Sequence, residues 1–361
     1  MPVDTLLLER FGPFAEAELD LVPGVNVLLG ANGTGKTFAA KALYSVLKAL
    51  GDAPPGMAPR EAVRAKLAGV FHPDDGDIRR LVRRVHGRSN ARVRVQFDDG
   101  AWVRLTISTG SRPISNLDYP RAVGGKREAA ILEAPALFLP SREVLAMYEG
   151  FVAAYVGREL SFDETYYDTA VALSAAALRG RRPGKLREVA EALEKEMGGR
   201  VRLEGPRFYL HAEQGGRLEA HLLAEGLRKV ASVVHLIANG ALRQGGLLIW
   251  DEPEANLHPR LAEVVVDCLL ALAEGGVQVI VATHDYLVAD AISRASEYRD
   301  VLGTAAEVRF FQLIREDGAP AKVQRADTFS DIPTNPLLEA FLEHHDREQQ
   351  LVVRQLGGDT Q

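Results

Sequence analysis

The eight residues Gly30-Ala31-Asn32-Gly33-Thr34-Gly35-Lys36-Thr37 constrain this chain more than any other stretch. They fit G-x-x-x-x-G-K-[ST]. Before them stands Val25-Asn26-Val27-Leu28-Leu29, which reads as a buried strand, and after them Phe38 to Leu47 carry apolar residues at helical spacing. Strand, glycine loop and helix in that order make the motif a phosphate site rather than a plain glycine turn. Gly33 and Gly35 let the backbone curl so that successive N–H groups point at phosphate oxygens. The helix N-terminus adds partial positive charge. Lys36 is expected to reach the β- and γ-phosphates and the Thr37 hydroxyl to hold Mg²⁺. The candidate nucleoside-triphosphate site therefore runs through Gly30, Ala31, Asn32, Gly33, Thr34, Gly35, Lys36, Thr37 and Phe38.

Composition narrows the rest. A formal net charge of −6 argues against a chain that is basic overall, though not against a local basic face. The single cysteine, Cys268, excludes an internal disulfide framework and suits a reducing compartment. It sits in Val264-Val265-Val266-Asp267-Cys268-Leu269-Leu270 and reads as a small buried hydrophobe. No apolar run approaches the ~18 residues that a membrane span needs. Met1-Pro2-Val3-Asp4 lacks the basic-then-apolar pattern of a secretory signal. The expectation is a cytoplasmic protein with no membrane partner.

Thr5 to Phe11 and Ala15 to Leu21 read as short strands joined through Gly12-Pro13. Arg60 to Gly69 reads as a short helix. Asp74-Asp75-Gly76-Asp77 has a fragment of calcium-loop spacing without the terminal glutamate, and a solvated turn is preferred. Ala91 to Phe97 and Ala101 to Ile107 alternate apolar with polar residues around Asp98-Asp99-Gly100, a hairpin. Arg79, Arg80, Arg83, Arg84, Arg88, Arg92, Arg94 and Arg104 cluster here and could meet a phosphate backbone. A solvated face offset by nearby acids is the simpler reading. From Ser141 the pattern turns helical, with a helix start at Ser141-Arg142-Glu143-Val144. A break follows at Gly180-Arg181-Arg182-Pro183-Gly184, and a second helix runs from Pro183 near N1 to Met197. Heptads long enough for a coiled-coil arm are missing. Strand character returns at Val201.

Gly246-Leu247-Leu248-Ile249-Trp250-Asp251-Glu252-Pro253 is an apolar strand ending in two carboxylates. Nucleotide hydrolysis needs one carboxylate in the metal shell and one group to orient the attacking water. Adjacent strand residues point to opposite faces, so the two acids are expected to divide these tasks, Asp251 to the metal and Glu252 to the water. Gly276 to Ala282 gives another buried strand, ending at Thr283-His284-Asp285, where His284 is positioned to reach the γ-phosphate or the water. Glu252, His284 and Lys36 are the candidate catalytic residues, and Thr37 and Asp251 the candidate metal ligands.

Together, the phosphate loop, Asp251-Glu252-Pro253-Glu254-Ala255-Asn256-Leu257-His258-Pro259 and Ala282-Thr283-His284-Asp285 resemble an ABC-type ATPase head. More narrowly, they resemble the RecF/SMC-like AAA ATPases of the overcoming-lysogenization-defect (OLD) type. The resemblance runs from Thr5 to about Glu343. It implies an α/β fold, an ABC-type P-loop NTPase head with a mixed β lobe, and a helical insertion in place of a coiled coil. Expected boundaries are 1–140 for the N-terminal lobe with P-loop and hairpin, 141–200 for the insertion, and 201–361 for the C-terminal lobe. The signature segment, which in the family contacts the γ-phosphate held by a second subunit, corresponds to Ala224, Glu225 and Gly226, with Ala224 where the family has serine. Glu254 to His258 resemble the D-loop at the dimer seam, with Asn256 and His258 as its site residues. The glutamine loop corresponds to Ala136 to Glu143, which holds no glutamine.

The resemblance implies ATP and Mg²⁺ as ligands and a head-to-head homodimer, or higher homo-oligomer, closing around two nucleotides. OLD-type proteins often add a Toprim nuclease, but only 77 residues follow His284, below the ~100 of a usual domain. Glu343, His344, His345 and Asp346 match no known metal spacing and read as a solvated helix. The expected role is that of a standalone sensor ATPase gating a separate effector in an anti-phage or toxin–antitoxin system. A DNA-repair or chromosome-maintenance ATPase that binds duplex DNA and a nucleotide-gated scaffold with little hydrolysis are the rivals. A transporter motor fits less well.

Overall fold

The computed structural model describes residues 2–84, 87–119, 135–178, 185–333, 339, 342–343 and 346–351. The chain opens with β1 (Val3–Glu9), β2 (Glu16–Asp20) and β3 (Val25–Leu29), then α1 (Lys36–Gly51) and α2 (Pro59–Phe71). Next come β4 (Asn90–Phe97), β5 (Trp102–Ser108), β6 (Ile114–Asp118) and β7 (Ala136–Leu139). Three helices follow: α3 (Phe151–Val156), α4 (Glu164–Ser174) and α5 (Lys185–Glu196). After them stand β8 (Gly199–Glu204), β9 (Arg207–Ala212), β10 (Arg217–Glu219) and α6 (Glu225–Asn239). The last described elements are β11 (Leu247–Asp251), α7 (Pro259–Glu274), β12 (Gln278–Thr283), α8 (Tyr286–Glu297), α9 (Arg299–Leu302), β13 (Val308–Ile314) and β14 (Lys322–Ala326).

A six-stranded mixed sheet, ordered β14-β13-β3-β12-β11-β7, forms the centre. Its strands run parallel except β14. Every residue of β3, β11 and β12 is buried, as expected of parallel strands covered on both faces. Alternate residues serve different cores. Val25, Val27, Leu29, Leu248, Trp250, Val279 and Val281 pack against α4 to α8. Leu28, Leu247, Ile249, Ile280 and Ala282 pack with α1 and the second sheet. That second sheet is antiparallel, ordered β2-β1-β4-β5-β6, and the alternating pattern of β4 and β5 puts Val93, Val95, Val103 and Leu105 on its inner face. On α1, Leu43, Leu47 and Leu50 are buried, each stabilising the fold by about 1.5–3 kcal/mol. Gln278 joins the two sheets: its side chain exchanges hydrogen bonds with both the N–H and the carbonyl of Val3 at 2.8 and 2.7 Å. A small sheet of β10-β9-β8 completes the described strands.

Register fixes the site. Leu29 pairs with Thr283 and Asp251 with Ala282, so Gly30, His284 and Glu252 leave their strands side by side at the carboxyl edge.

Two local expectations need correction. The chain does not begin a helix at Ser141. It makes a short 3₁₀ turn at Leu145–Met147, and α3 starts only at Phe151. The reason lies with Glu143, whose carboxylate accepts the Ala146 N–H at 3.0 Å and the Arg228 Nε at 2.6 Å and so anchors a turn to a distant helix. Nor do Asp251 and Glu252 separate by strand alternation. The strand ends at Asp251, and Glu252 takes φ +47°, which turns the backbone and redirects its side chain. The Gly180–Gly184 break with Pro183, and His344 and His345 of the tail, lie outside the described residues.

Candidate functional site

The phosphate loop is held in place by its neighbours. Gly30, Gly33 and Gly35 have φ of +147°, +80° and +109°. A Cβ on Gly35 would come within 2.7 Å of Pro13 and 2.8 Å of Phe14, and one on Gly30 within 2.4 Å of the Leu313 carbonyl. Both glycines are therefore needed for conformation and for space. Thr34 Oγ1 donates to the Ala31 carbonyl at 2.8 Å, and Lys36 Nζ donates to the carbonyls of Gly30 at 2.6 Å and Ala31 at 3.1 Å. Lys36 is buried, and burial lowers its pKa despite the nearby Glu252, Asp251 and Glu254 carboxylates. Helix α1 starts at Lys36 with no side-chain cap and no acid in its first turn, so nothing of its own answers the positive end of the helix.

At the second residue of α1, Thr37 Oγ1 donates to Asp251 at 2.9 Å (Oδ1) and 3.1 Å (Oδ2). Asp251 is buried, and no Lys or Arg nitrogen lies within ion-pair distance of it among the described residues. Burial, reinforced by Glu252, pushes its pKa up to about 6, against the lowering effect of the Thr37 bond. A hydroxyl and an undercompensated carboxylate are hard oxygen donors of the sort Mg²⁺ takes, so the residues present fit that ion. Among the described residues no cluster of three or more His, Cys, Asp or Glu side chains gathers to hold a metal.

Glu252 Oε1 lies 3.1 Å from His284 Nδ1. A second carboxylate, Glu254, approaches the same nitrogen at 3.9 Å and accepts the Thr283 hydroxyl at 2.5 Å. The residues from Glu252 to Asn256 form a tight loop with two non-glycine residues in the left-handed region, Glu252 and Asn256 (φ +63°). Each such residue costs on the order of 1–3 kcal/mol and persists only where neighbours enforce it.

Lys229 on α6 is the enforcer. Its Nζ donates to the carbonyls of Ala255 at 2.7 Å, Glu252 at 3.2 Å and Pro253 at 3.4 Å. The side chain is buried, which lowers its pKa against the pull of Glu225, Glu254 and Glu252. Helix α6 opens at the candidate signature, with Ala224 at the N-cap and no side-chain cap. Gly226 packs under Leu257 and Leu261, where a Cβ would sit 2.6 Å from Leu257. Asn256 Nδ2 donates to Glu225 Oε1 at 3.1 Å, so signature and D-loop candidates touch within one chain. His258 caps α7: its Nδ1 accepts the Arg260 N–H at 3.3 Å, with Pro259 at the first helical position.

An open cleft of about 800 Å³ runs from Lys36, Thr37 and Glu252 past Phe38 and Lys41 to Phe71, Arg80, Arg83 and Arg84. Phe38 and Phe71 lie 4.6 Å apart between ring centroids and form an apolar wall. Arg315 reaches the cleft from beyond β13 and donates to the Gly33 carbonyl at 3.3 Å. The arginine-rich region is mostly engaged: Arg79 with Asp77 at 2.7 Å, Arg80 with Asp74 at 2.7 Å and Arg92 with Glu9 at 2.6 Å, while Arg83 donates to the Pro13 carbonyl at 3.0 Å. Cys268 is buried, its thiol pushed up to about 12 by burial, and takes no part in the site.

Sequence reasoning missed Lys229, Glu254 and Arg315. Lys229 did carry a signal, since it stands at core-facing spacing with Gly226, Val230 and Val233. Glu254 stood in the D-loop resemblance, but its bond to Thr283, 29 residues away, was not legible, and Arg315 carried no signal, because its partner lies 282 residues away.

Two families match the chain. Residues 145–290 match "AAA domain, putative AbiEii toxin, Type IV TA system", and residues 1–95 match a second AAA domain family. Over 46 residues the chain is 46% identical to the DNA replication and repair protein RecF of Pectobacterium atrosepticum, a stretch that makes up 13% of this chain and 13% of that relative. Among solved structures, the SmcHead bound to the C-winged helix domain of ScpA superposes with a TM-score of 0.54 at 16% identity, over 92% of this chain and 100% of that one. The SMC head domain from Thermotoga maritima gives 0.50 at 14% identity, over 91% and 100%. The Smc head with an extended coiled coil bound to the C-terminal domain of ScpA, derived from Pyrococcus furiosus, gives 0.52 at 14%, over 96% and 99%. At these identities the structures speak for a shared fold.

Proposed function

We propose that this chain, which belongs to the RecF/SMC-like ABC-type ATPases, binds ATP in the Gly30–Phe38 loop and hydrolyses it. One observation carries the reading: Lys36, the Thr37–Asp251 pair and the Glu252–His284 pair meet beyond three adjacent strand ends, and Lys36, Thr37 and Glu252 line one cleft. In this reading Lys36 turns from the loop carbonyls to the β- and γ-phosphates. Glu252 orients the attacking water and receives its proton, while His284 holds Glu252 and the γ-phosphate in register. Water oxygen bonds to the γ-phosphorus as the bond to the β,γ-bridging oxygen breaks, giving ADP and phosphate. Thr37 and Asp251 would hold Mg²⁺, which when bound neutralises charge on the β- and γ-phosphates.

Two such heads would close around two nucleotides, with Ala224, Glu225 and Gly226 of each facing the γ-phosphate on the other and Asn256 and His258 at the seam. The uncapped start of α6 supports this, since its free N–H groups suit an anion even without a serine hydroxyl. The family match over 145–290 supports a regulatory ATPase in bacterial toxin–antitoxin or anti-phage defence, working in the cytoplasm with a separate effector. The RecF stretch favours a second reading, a repair ATPase on duplex DNA. Against it, several of the candidate arginines are already paired with acids.

The test is ATP turnover and solution mass for wild type and Glu252→Gln, with and without duplex DNA. Turnover by wild type, with Glu252→Gln trapped as an ATP-dependent dimer, supports the shared engine. DNA stimulation moves the role to repair, and indifference to DNA moves it to a protein-partnered switch. Negligible turnover in both, with nucleotide bound, leaves a nucleotide-gated scaffold.

A further inference from the structure

Glu254 has no task in the reading above, yet its placement is costly. The residue is 8% exposed, and its Oε2 is buried with no hydrogen-bond partner among the described residues. Burying a carboxyl with one oxygen unanswered disfavours the fold, so an asparagine or threonine would be the cheaper structural choice. Its other oxygen is well used. Oε1 accepts the Thr283 hydroxyl at 2.5 Å, and Thr283 Oγ1 in turn accepts the Asp285 N–H at 2.9 Å. These bonds grip the backbone on both sides of His284. The same Oε1 stands 3.9 Å from His284 Nδ1, beside Glu252 Oε1 at 3.1 Å. Thus Glu254, carried by the loop after β11, pins the end of β12, and it presents a second carboxyl oxygen to the imidazole nitrogen that faces Glu252.

We infer that Glu254 is a positioning residue for His284: it fixes the imidazole through Thr283 and keeps the ring proton on Nδ1, leaving Nε2 as the free ring nitrogen. Among the described residues the carboxyl oxygens in ion-pair range of the His284 ring belong to Glu252 and Glu254 and both face Nδ1, at 3.1 and 3.9 Å, so an Nδ1–H is the tautomer both of them favour. The inference rests on the hydrolase reading for its consequence but on the contacts alone for its geometry. Burial also raises the Glu254 pKa, offset by the Thr283 bond, in keeping with a group whose charge is poorly solvated where it stands.

The experiment has two readouts on the full chain. The first is the ring ¹⁵N spectrum of His284, assigned by comparison with His284→Ala, in wild type and in Glu254→Gln. The isosteric amide changes the charge and keeps the acceptor for Thr283. Wild type is expected to show the Nδ1–H tautomer and Glu254→Gln a shifted ring equilibrium. An identical spectrum overturns the inference whether or not the protein turns over ATP. The second is a kinetic cycle. Glu254→Gln and Thr283→Val are each expected to lower kcat on the order of tenfold, with the Kd for a non-hydrolysed ATP analogue within about twofold. In a His284→Ala background the same changes are expected to have no further effect, since residues acting through one group are not additive. Full additivity there overturns the inference. A changed spectrum with no turnover in wild type instead fails the hydrolase reading and leaves the contact standing.

Discussion

Replacing Lys229 by methionine tests how the catalytic loop is held. Methionine keeps the length and apolar stem of the side chain but removes the three donors that reach the carbonyls of Glu252, Pro253 and Ala255. Hydrogen bonds to a charged group are worth about 1.5–3 kcal/mol each, and two of these are 3.2 Å or shorter. Against that stands relief from burying an ammonium group whose pKa burial already lowers. The net expectation is a loss of about 2–4 kcal/mol, below the sum of the bonds because of the relief. The loop would also be free to release the left-handed backbone at Glu252 (φ +47°), which stores on the order of 1–3 kcal/mol. A shift of about 1 Å in the Glu252 carboxylate costs up to roughly 100-fold in rate. The assay is urea denaturation followed by Trp250, buried next to Asp251, together with ATP turnover. Lower stability with kcat down 10- to 100-fold and nucleotide affinity retained is the expected result. Unchanged turnover would refute the claim that Lys229 sets Glu252, and unchanged stability as well would refute the contacts themselves.

Asp251 gives a pH prediction. Its folded pKa of about 6 lies above the ordinary 3.8, so its contribution to stability is present below about pH 4 and lost as pH rises through about 6. In metal-free buffer Asp251→Asn should therefore be more stable than wild type at pH 8, by up to about 3 kcal/mol, with the gap closing towards pH 4; denaturation curves across that range measure it, and equal curves at pH 8 would sink the assignment. The same variant should lose any stabilisation that Mg²⁺ adds to ATP, read as a thermal shift. Gly35→Ala places a Cβ 2.7 Å from Pro13 at φ +109° and should abolish ATP binding, as followed by calorimetry, while the circular dichroism of the fold survives. Native Cys268, with its thiol pushed up to about 12, should resist alkylation at pH 8 and react only on unfolding, as mass spectrometry would show.

Much of the site was legible because its parts are local. A loop that needs Gly30 and Gly35 for space, a strand that stops at two acids, and a histidine at the next strand's end each announce themselves within a dozen residues. So did the buried strands β3, β11 and β12, whose mostly apolar runs suit a doubly covered sheet. Other features failed to show because their cause lies elsewhere in the chain. Ser141 to Val144 looked like a helix start, but Glu143 was claimed by Arg228, 85 residues away. Asp251 and Glu252 looked separated by strand alternation, whereas a left-handed turn held by Lys229 from α6 does the work.

Sequence alone, then, determined which chemistry the chain carries, because phosphate loops, acid pairs and terminal histidines are short patterns of backbone freedom and side-chain type. Only the tertiary structure decided how those groups meet. The Thr37–Asp251 contact spans 214 residues, and it exists because sheet order places β3, β12 and β11 side by side. The grip of Lys229 and the buried Glu254 follow from the same packing. Such contacts depend on which strands become neighbours, a choice made by the burial of both sheet faces at once and written in no single segment of the chain.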